Sequence, residues 1–313
     1  MTTANVVLKT LIGSYGNTRA LKDGTVTAPG ITLDFVEVVP VYPAFPRVIA
    51  EEFDVAELAV TTYLVARAFG KPLTGLPVVL FRKFHHGTIL YNVKSGIREP
   101  KDLEGRRVGM RAFAQTGPTW SRGILQSEYG VDLGKVRWVT FEGSHVREFQ
   151  DPPNVARAPE DKKMADMLVA GEIDAAIGVE GFSSPAVRPL IPDAARVEAA
   201  WFRKTGIYPV NHMVVVKRSV VDAHPGVLAA LLGAFKTAKE LYLDRLTREG
   251  PASADDRLAL QLKEMVGGDP FPYGVPKDRK AYETLARFAF EHGMLPKPYG
   301  VEDLFDRSIL DLE

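Results

Sequence analysis

The sequence predicts an α/β fold made of two lobes, with a helical C-terminal region. Its 313 residues exceed one compact core and suit two domains of about 150 residues each. Strand-like apolar runs alternate with helical stretches, which is typical of sheets with right-handed crossovers. Hydrophobic residues make up 46% of the chain and charged residues 25%, as in an ordinary globular protein.

The first predicted lobe begins with strands and helices in alternation. Residues 6–12 form a mostly apolar strand that ends at a glycine-bounded turn. Residues 31–39 alternate apolar and polar side chains, as a strand with one buried face does. Residues 53–59 predict a buried strand, and Thr61 or Thr62 is placed to cap the helix that follows.

The second predicted lobe repeats this pattern. A strand over residues 88–93 leads to residues 95–97, where we expect the chain to cross into this lobe. A strand begins at Arg106, and Thr116 opens a helix whose early proline needs no backbone N–H. Further predicted elements are a strand at 136–141, a loop at 143–158, a helix at 160–170, a strand at 173–179, strand-like runs over 201–216 and an amphipathic helix at 225–246.

Charge and composition exclude several classes of function. Lysine and arginine number 39, as do aspartate and glutamate, so no excess charge favours a nucleic-acid partner. The chain has no cysteine, which rules out disulfides and cysteine metal sites. No apolar run approaches the length of a transmembrane helix, so we expect no membrane insertion. Nucleotide-binding and zinc-protease motifs are missing, and we predict no metal.

The N-terminal residues lack the features of a secretory leader. They carry no basic segment, and the apolar stretch over residues 6–12 is interrupted by Lys9. A leader needs an apolar core of about 7–15 residues and a small-residue cleavage site. We therefore expect a cytoplasmic protein.

Six segments, in order along nearly the whole chain, carry a resemblance to a known family. They are GSYGNTRALKDG at 13–24, EFDVAEL followed by TTYL within 52–64, SGIREPKDLEGRRVG at 95–109, WSRGILQSEYGV at 120–131, LVAGEIDAAIG at 168–178 and RKTGIYPVNHMVVV at 203–216. Together they resemble the 4,5-dihydroxyphthalate decarboxylase-like family. That resemblance implies a two-lobed type II periplasmic-binding-protein-like fold with two crossover strands.

The resemblance also implies domain bounds and a ligand. The first lobe would comprise residues 1–93 and 210–313, and the second, inserted lobe residues 94–209. A ligand would lie between the lobes, at strand ends and helix N-termini. The family's namesake decarboxylates an aromatic diacid without an organic cofactor, so no cofactor is expected. The first loop departs from the family's charged pattern at Ser14, Gly16 and Asn17, and the resemblance does not extend to the substrate.

Cofactor-free decarboxylation of a hydroxylated aromatic acid needs a proton donor above the ring carbon that bears the carboxylate. Histidine suits this role because its pKa lies near neutrality. We predict His86 and His212 as the candidates. The resemblance favours His86, and His212 directly precedes an apolar strand at the second expected crossover. A hydrogen-bonded structural role remains open for each, and more so for His85.

The substrate's anionic groups need cationic and hydrogen-bonding partners. Arg111 follows the first strand of the second lobe, where a bidentate guanidinium can clamp a carboxylate, although a surface ion pair is the alternative. Arg19 follows the first loop. The other predicted contacts are Tyr15, Asn17, Thr61, Thr62, His85, Thr116, Trp120 and Glu180. Hydroxyl side chains near the start of a helix often serve only to cap that helix. For Trp120, the alternative to ligand contact is packing in the core.

Two functions from different classes follow from these observations. The first is a cofactor-independent decarboxylase of a hydroxylated aromatic carboxylate, such as 4,5-dihydroxyphthalate or a related acid. The second is a solute-binding protein of an ABC-type transporter for a small anionic or aromatic ligand. The fold serves both and does not decide between them. In either case the partner is a small anionic, aromatic carboxylate ligand, and a homo-oligomer is left open.

Overall fold

The computed structural model describes residues 5–179 and 181–312. The chain divides into two compact units. Unit 1 contains the chain through Arg82, then Val210–Glu283 and the segment from Tyr299 onwards. Unit 2 contains Lys83–Pro209 and Thr284–Pro298.

Over the described residues, the strands form one sheet in each unit. In chain order they are β1 (Val6–Leu11), β2 (Ile31–Phe35), β3 (Val55–Ala59), β4 (Leu73–Arg82), β5 (Ile89–Asn92), β6 (Arg107–Met110), β7 (Arg137–Thr140), β8 (Val155–Arg157), β9 (Ala175–Ile177), β10 (Val187–Pro189) and β11 (Val210–Lys217). The helices are α1 (Arg19–Lys22), α2 (Phe45–Ile49), α3 (Val60–Ala68), α4 (Thr116–Tyr129), α5 (Met164–Ala170), α6 (Ala194–Thr205), α7 (Arg218–Ala223), α8 (Val227–Glu249), α9 (Ala254–Val266), α10 (Val275–Glu291) and α11 (Val301–Leu304).

The sheet of unit 1 has the strand order β2-β1-β3-β11-β4. Strands β1, β2 and β3 are parallel, whereas β11 runs antiparallel to both β3 and β4. Every residue of β3 is buried, as expected of a central strand with both faces covered. The carboxyl ends of β1 and β3 and the beginning of β11 therefore meet at one edge of this sheet.

The sheet of unit 2 has the strand order β10-β5-β9-β6-β7-β8. Strands β6, β7, β8 and β9 run parallel, and β5 pairs antiparallel with β9. The beginning of β5 consequently lies at the same edge as the carboxyl ends of the parallel strands. Helix α4 follows β6 and ends at Gly130, whose φ of 64° is left-handed and favours glycine.

Several local predictions differ from the structure. Residues 194–205 form helix α6, so Trp201 is helical and not part of a strand-like run. Strand β4 was not predicted, because Gly75 and Pro77 interrupt its apolar sequence, and both residue types are unfavourable inside a strand. Thr61 and Thr62 are not caps, since α3 begins at Val60 after the N-cap Ala59. Thr116 is the first residue of α4, whose N-cap is Gln115.

The unit boundaries also differ from the predicted bounds in part. The break between residues 209 and 210 coincides with the prediction, whereas the first break lies after Arg82 instead of residue 93. Residues 284–298 join unit 2, so the C-terminal half of α10 packs with α4 there. No helix within the described ranges is long and apolar enough to span a membrane.

Candidate functional site

The edge of unit 1 where β1, β3 and β11 meet gathers several predicted site residues. The loop after β1 carries Tyr15, and α3 directly follows β3 with Thr61 and Thr62 in its first turn. Strand β11 pairs antiparallel with β3 so that His212 lies opposite Ala59. Side chains two residues apart on a strand share a face, and polar residues at such an edge are placed for ligand binding.

A carboxylate absent from the predicted set completes this edge. Glu57 lies opposite Val214 on the neighbouring strand, so its side chain shares a face with that of His212. The Glu57 Oε1 atom lies 2.7 Å from Nδ1 of His212. Glu57 is fully buried, whereas 19% of the His212 side chain is exposed. The pair thus combines a shielded carboxylate with a histidine that reaches solvent.

The hydrogen bonds around Glu57 define the orientation of the His212 ring. Oε1 accepts from the Tyr15 hydroxyl at 2.8 Å, and Oε2 accepts from the backbone N–H of Gly13 at 2.8 Å. An ionised carboxylate only accepts hydrogen bonds, so Nδ1 of His212 donates to it. The remaining nitrogen, Nε2, is then the one that can exchange a proton with a ligand.

Aromatic rings hold His212 from two further sides. Phe45 meets its ring edge to face, with 5.2 Å between centroids, and Phe81 lies at 5.3 Å. Tyr15 is partly buried, and burial together with Glu57 raises the pKa of its hydroxyl, which stays protonated and continues to donate. The ring of His212 is therefore fixed by packing as well as by Glu57.

The other predicted residues of unit 1 have different surroundings. Asn17 is buried and donates from its amide to the hydroxyl of Tyr273 at 2.9 Å. Thr61 and Thr62 are also buried. Arg19 is exposed and lines, with Tyr15, a cavity of about 410 Å³. Of these residues, Tyr15 and Arg19 are the ones that face open space.

In unit 2 the corresponding edge carries Arg111 and the start of α4. The Nε atom of Arg111 lies 3.1 Å from Oε2 of Glu142, and the side-chain amide of Gln115 lies 3.1 Å from the same guanidinium. Thr116 is buried. Arg111 thus takes part in the ion pair that was the alternative to a carboxylate clamp, with about a third of its side chain exposed.

The adjacent histidines of unit 2 precede β5 in a short 3-10 turn, not in a strand. Both are buried. His85 lies against the start of α4. If Gly117 carried a Cβ atom, that atom would lie 3.4 Å from the imidazole ring of His85. Nδ1 of His86 lies 3.9 Å from Oε1 of Glu198 and has no hydrogen-bond partner among the described residues. Burial lowers the pKa of His86 to about 4.

Two predicted ligand contacts lie outside any site that the structure describes. Trp120 is fully buried and meets Phe288 edge to face at 5.9 Å, so it packs in the core of unit 2 and does not wall a ligand. Glu180 lies outside the described residues. Within residues 5–179 and 181–312, no cluster of three or more histidine or acidic side chains is arranged to hold a metal.

Glu57 is the residue that the sequence prediction missed. It stands within VAELA, an otherwise apolar strand. A carboxylate in a buried strand is costly unless it is hydrogen-bonded, so its presence there signals specific partners. The missing information was the pairing of β3 with β11, which are separated by about 150 residues of sequence.

The chain is similar in sequence to known proteins. A family model described as "NMT1/THI5 like" matches residues 12–151. The 4,5-dihydroxyphthalate decarboxylase of Comamonas testosteroni is 26% identical over 97% of this chain and 97% of its own length. The enzyme of that name from Pseudomonas putida is 30% identical, covering 63% of this chain and 81% of its own length.

Solved structures share the architecture. The alkanesulfonate-binding protein SsuA from Xanthomonas axonopodis pv. citri, bound to MOPS, has a TM-score of 0.55 at 17% identity, covering 97% of this chain and 99% of its own. The periplasmic aliphatic sulphonate binding protein SsuA from Escherichia coli has the same TM-score and identity, covering 98% and 93%. The predicted two-lobed, type II periplasmic-binding-protein-like fold is confirmed.

Proposed function

The chain belongs to the 4,5-dihydroxyphthalate decarboxylase family, and from that premise we propose that it decarboxylates a hydroxylated aromatic carboxylate with His212 as the proton donor. The observation that carries the proposal is the contact between buried Glu57 and His212. A histidine oriented by a buried carboxylate is a common arrangement for moving a proton at a defined nitrogen.

The reaction needs protonation before carbon–carbon cleavage. Direct loss of CO2 would leave an unstable aryl anion. If Nε2–H of His212 instead protonates the ring carbon that bears the carboxylate, a ring hydroxyl supplies electron density and the ring loses aromaticity. The carbon–carboxylate bond then breaks, CO2 leaves, and the electron pair restores the aromatic ring. One proton is consumed for each CO2, and solvent returns it to His212.

The surroundings of His212 suit this role. The carboxylate of Glu57 faces Nδ1 and offsets the positive charge of the protonated imidazole. Tyr15 and the Gly13 backbone in turn hold the carboxylate, so the donor does not have to reorganise during the reaction. The partial exposure of His212 permits contact with a ligand and return of the proton.

His86 is less suited to donate a proton. Burial lowers its pKa to about 4, so at neutral pH its imidazole is uncharged. Its nearest carboxylate oxygen is 3.9 Å away, too far for a hydrogen bond. We therefore assign His86 a structural role and place the acid on His212.

Carboxylate binding by Arg111 remains part of the proposal. Its ion pair with Glu142 involves two partly exposed side chains, and such pairs contribute little stability. A substrate carboxylate can therefore compete for the guanidinium at small cost. Arg19 is the corresponding exposed cation of unit 1.

The test is an assay of the purified protein with 4,5-dihydroxyphthalate and a panel of hydroxylated aromatic acids. We expect stoichiometric release of CO2 and, from 4,5-dihydroxyphthalate, formation of 3,4-dihydroxybenzoate. Saturable binding of panel members without CO2 release would contradict the proposal and favour a solute-binding function.

A further inference from the structure

We propose that unit 2 contains a second ligand site, a cavity beside Arg122 that binds a small carboxylate with an apolar body. The cavity has a volume of about 440 Å³, within the range of small-molecule sites. Leu133 and Asn154, which line it, precede β7 and β8, so the cavity extends to the amino ends of these strands. Arg111 instead follows the carboxyl end of β6, at the opposite edge of the sheet.

Arg122 is a buried cation, and the described residues that contact its guanidinium are neutral. Its side chain is fully buried in α4. Nη1 donates to Sδ of Met110 and Nη2 to the carbonyl oxygen of Phe113, each at 3.0 Å. The guanidinium also stacks on the Phe113 ring at 3.9 Å. Across the described residues, Nε has no hydrogen-bond partner.

A buried charge normally pairs with an opposite charge, since an unpaired charge in a low-dielectric interior is strongly unfavourable. Burial lowers the pKa of Arg122 to about 9, which still leaves it protonated at neutral pH. The carboxylate that interacts with it at longer range, Asp151, instead forms an ion pair with Arg157 at 3.7 Å. Arg122 therefore retains capacity for an anion, because no carboxylate among the described residues forms a direct ion pair with it.

The acidic residues that line the cavity already form ion pairs. Asp132 lies 3.4 Å from the ammonium of Lys135, and Glu291 accepts from Arg287 at 3.0 Å. Both pairs are partly exposed at the rim. The uncompensated charge of the cavity is thus the positive one of Arg122.

His292 adds a second unsatisfied polar group. It follows α10, stacks on Phe288 with 6.0 Å between ring centroids, and approaches Gln126 with Nε2 at 3.3 Å. Nδ1 has no partner among the residues described, and burial holds the pKa of His292 well below its usual range. An uncharged imidazole carries one N–H, which Nε2 donates to Oε1 of Gln126 in this orientation; when the Gln126 amide turns to present its NH2 group to Nε2, the proton moves to Nδ1, which then donates to a ligand oxygen.

The remaining walls of the cavity determine which group the ligand carries besides its carboxylate. They are mainly apolar, formed by Phe113, Val131, Leu133, Trp138 and Pro152. A planar carboxylate matches the fork of a guanidinium, and an apolar ring or chain matches these walls. This site does not depend on the decarboxylase proposal, because none of its residues belongs to the His212 edge.

Benzoate is the probe, and the indole N–H of Trp138 is the local reporter. That N–H donates to the carbonyl oxygen of Leu133 at 3.2 Å, within the cavity lining. In ¹H–¹⁵N NMR spectra of the full chain, saturable benzoate binding should shift this indole signal. Absence of a shift up to the solubility limit of benzoate would overturn the proposal.

Three variants define the site. Arg122→Met, which keeps length without charge, should weaken benzoate binding at least tenfold, and an unchanged affinity would overturn the proposal. Leu133→Phe narrows the cavity without altering Arg122 and should also weaken binding, which keeps the test decisive if Arg122→Met does not fold. His212→Asn should leave the Trp138 titration unchanged. A positive titration without CO2 release would refute only the decarboxylase proposal.

Discussion

The two histidines predicted as proton donors lie in contrasting environments. His212 in unit 1 has a buried carboxylate at 2.7 Å and aromatic rings on two further sides, and it remains partly exposed. His86 in unit 2 is buried beside Trp201, at 5.5 Å between ring centroids, and its nearest carboxylate oxygen is 3.9 Å away. The same side chain thus lies within hydrogen-bond distance of a carboxylate in one unit and beyond it in the other.

This difference shows that the neighbours of a histidine, more than its position near the start of a strand, decide what it can do. His212 is the third residue of β11, not a residue before the strand as predicted, and His86 lies in the turn before β5; each is at an edge where parallel strands end. Glu57 provides a charged acceptor at one of them. Burial without such an acceptor disfavours the charged form at the other.

The largest expected effect is a difference in kcat between the variants of the two histidines. His212→Asn should lower kcat for CO2 release by about 10²- to 10⁴-fold, the usual contribution of a general acid. His86→Gln, the matched change in unit 2, should alter kcat by less than about threefold. Equal losses of kcat in both variants, or a larger loss for His86→Gln, would contradict the assignment of His212 as the proton donor.

The second effect concerns stability in acid. Because the folded-state pKa of His86 is about 4 and its unfolded value about 6.5, the unfolded chain binds more protons between these values. Stability is therefore full above pH 6.5 and falls as the pH decreases towards 4, by about 3 kcal/mol from this residue.

Urea unfolding at pH 7 and pH 4.5 checks this expectation. His86→Gln should lose less stability between the two conditions than the wild type. His292, whose pKa burial also lowers, is present in both proteins and cancels in the difference. If the free energy of unfolding changed equally with pH in the wild type and in His86→Gln, His86 would be protonated in the folded state at pH 4.5.

The third effect tests Glu57 as a positioning residue. Glu57→Gln preserves shape but places an amide beside Nδ1, which lets the other tautomer of His212 form. We expect kcat to fall roughly tenfold to 10²-fold with KM within about threefold, measured by CO2 release. A rise in KM at constant kcat would mean that Glu57 acts in binding and not through His212.

The fourth effect concerns the carboxylate-binding role proposed for Arg111. Arg111→Ala should raise KM for an aromatic carboxylate about tenfold, as expected for loss of one charge-assisted contact, with a smaller change in kcat. Glu142→Gln is the control, because it removes the ion pair but keeps the cation. Wild-type values of KM and kcat for Arg111→Ala would show that Arg111 does not bind the substrate carboxylate.

The smallest effect concerns Tyr15. Tyr15→Phe removes one of the hydrogen bonds to Glu57 and should lower the free energy of unfolding by about 1 kcal/mol. Turnover should fall only a few-fold, because Gly13 still donates to the carboxylate. Thermal unfolding and CO2 release on one preparation measure both, and a loss as large as that of His212→Asn would make Tyr15 a catalytic group.

Much of the fold could be predicted from the sequence because its elements carry local signals. Apolar runs predicted β1 and β3, and periodicity predicted α8. The prediction failed where local signals conflict or are silent. The last five residues of helix α6 were taken for strand because Trp201 and Phe202 favour strands, although the buried face of this helix forms only after tertiary packing.

The candidate site was less predictable, for physical reasons. His212 and Tyr15 were identified from their positions beside strand ends. Glu57 became visible only when β11 paired with β3, a contact that depends on distant sequence. Trp120 illustrates the opposite error, because an aromatic side chain near a helix start looks the same in sequence whether it packs in the core or faces a ligand.

The most direct measurement is a ¹H–¹⁵N NMR titration of the histidine side chains in the wild-type protein, assigned with His212→Asn and His86→Gln. The account predicts that neutral His212 carries its proton on Nδ1, bonded to Glu57, with Nε2 unprotonated, and that His86 stays neutral down to about pH 4. A neutral His212 with its proton on Nε2, or a charged His86 at neutral pH, would contradict it.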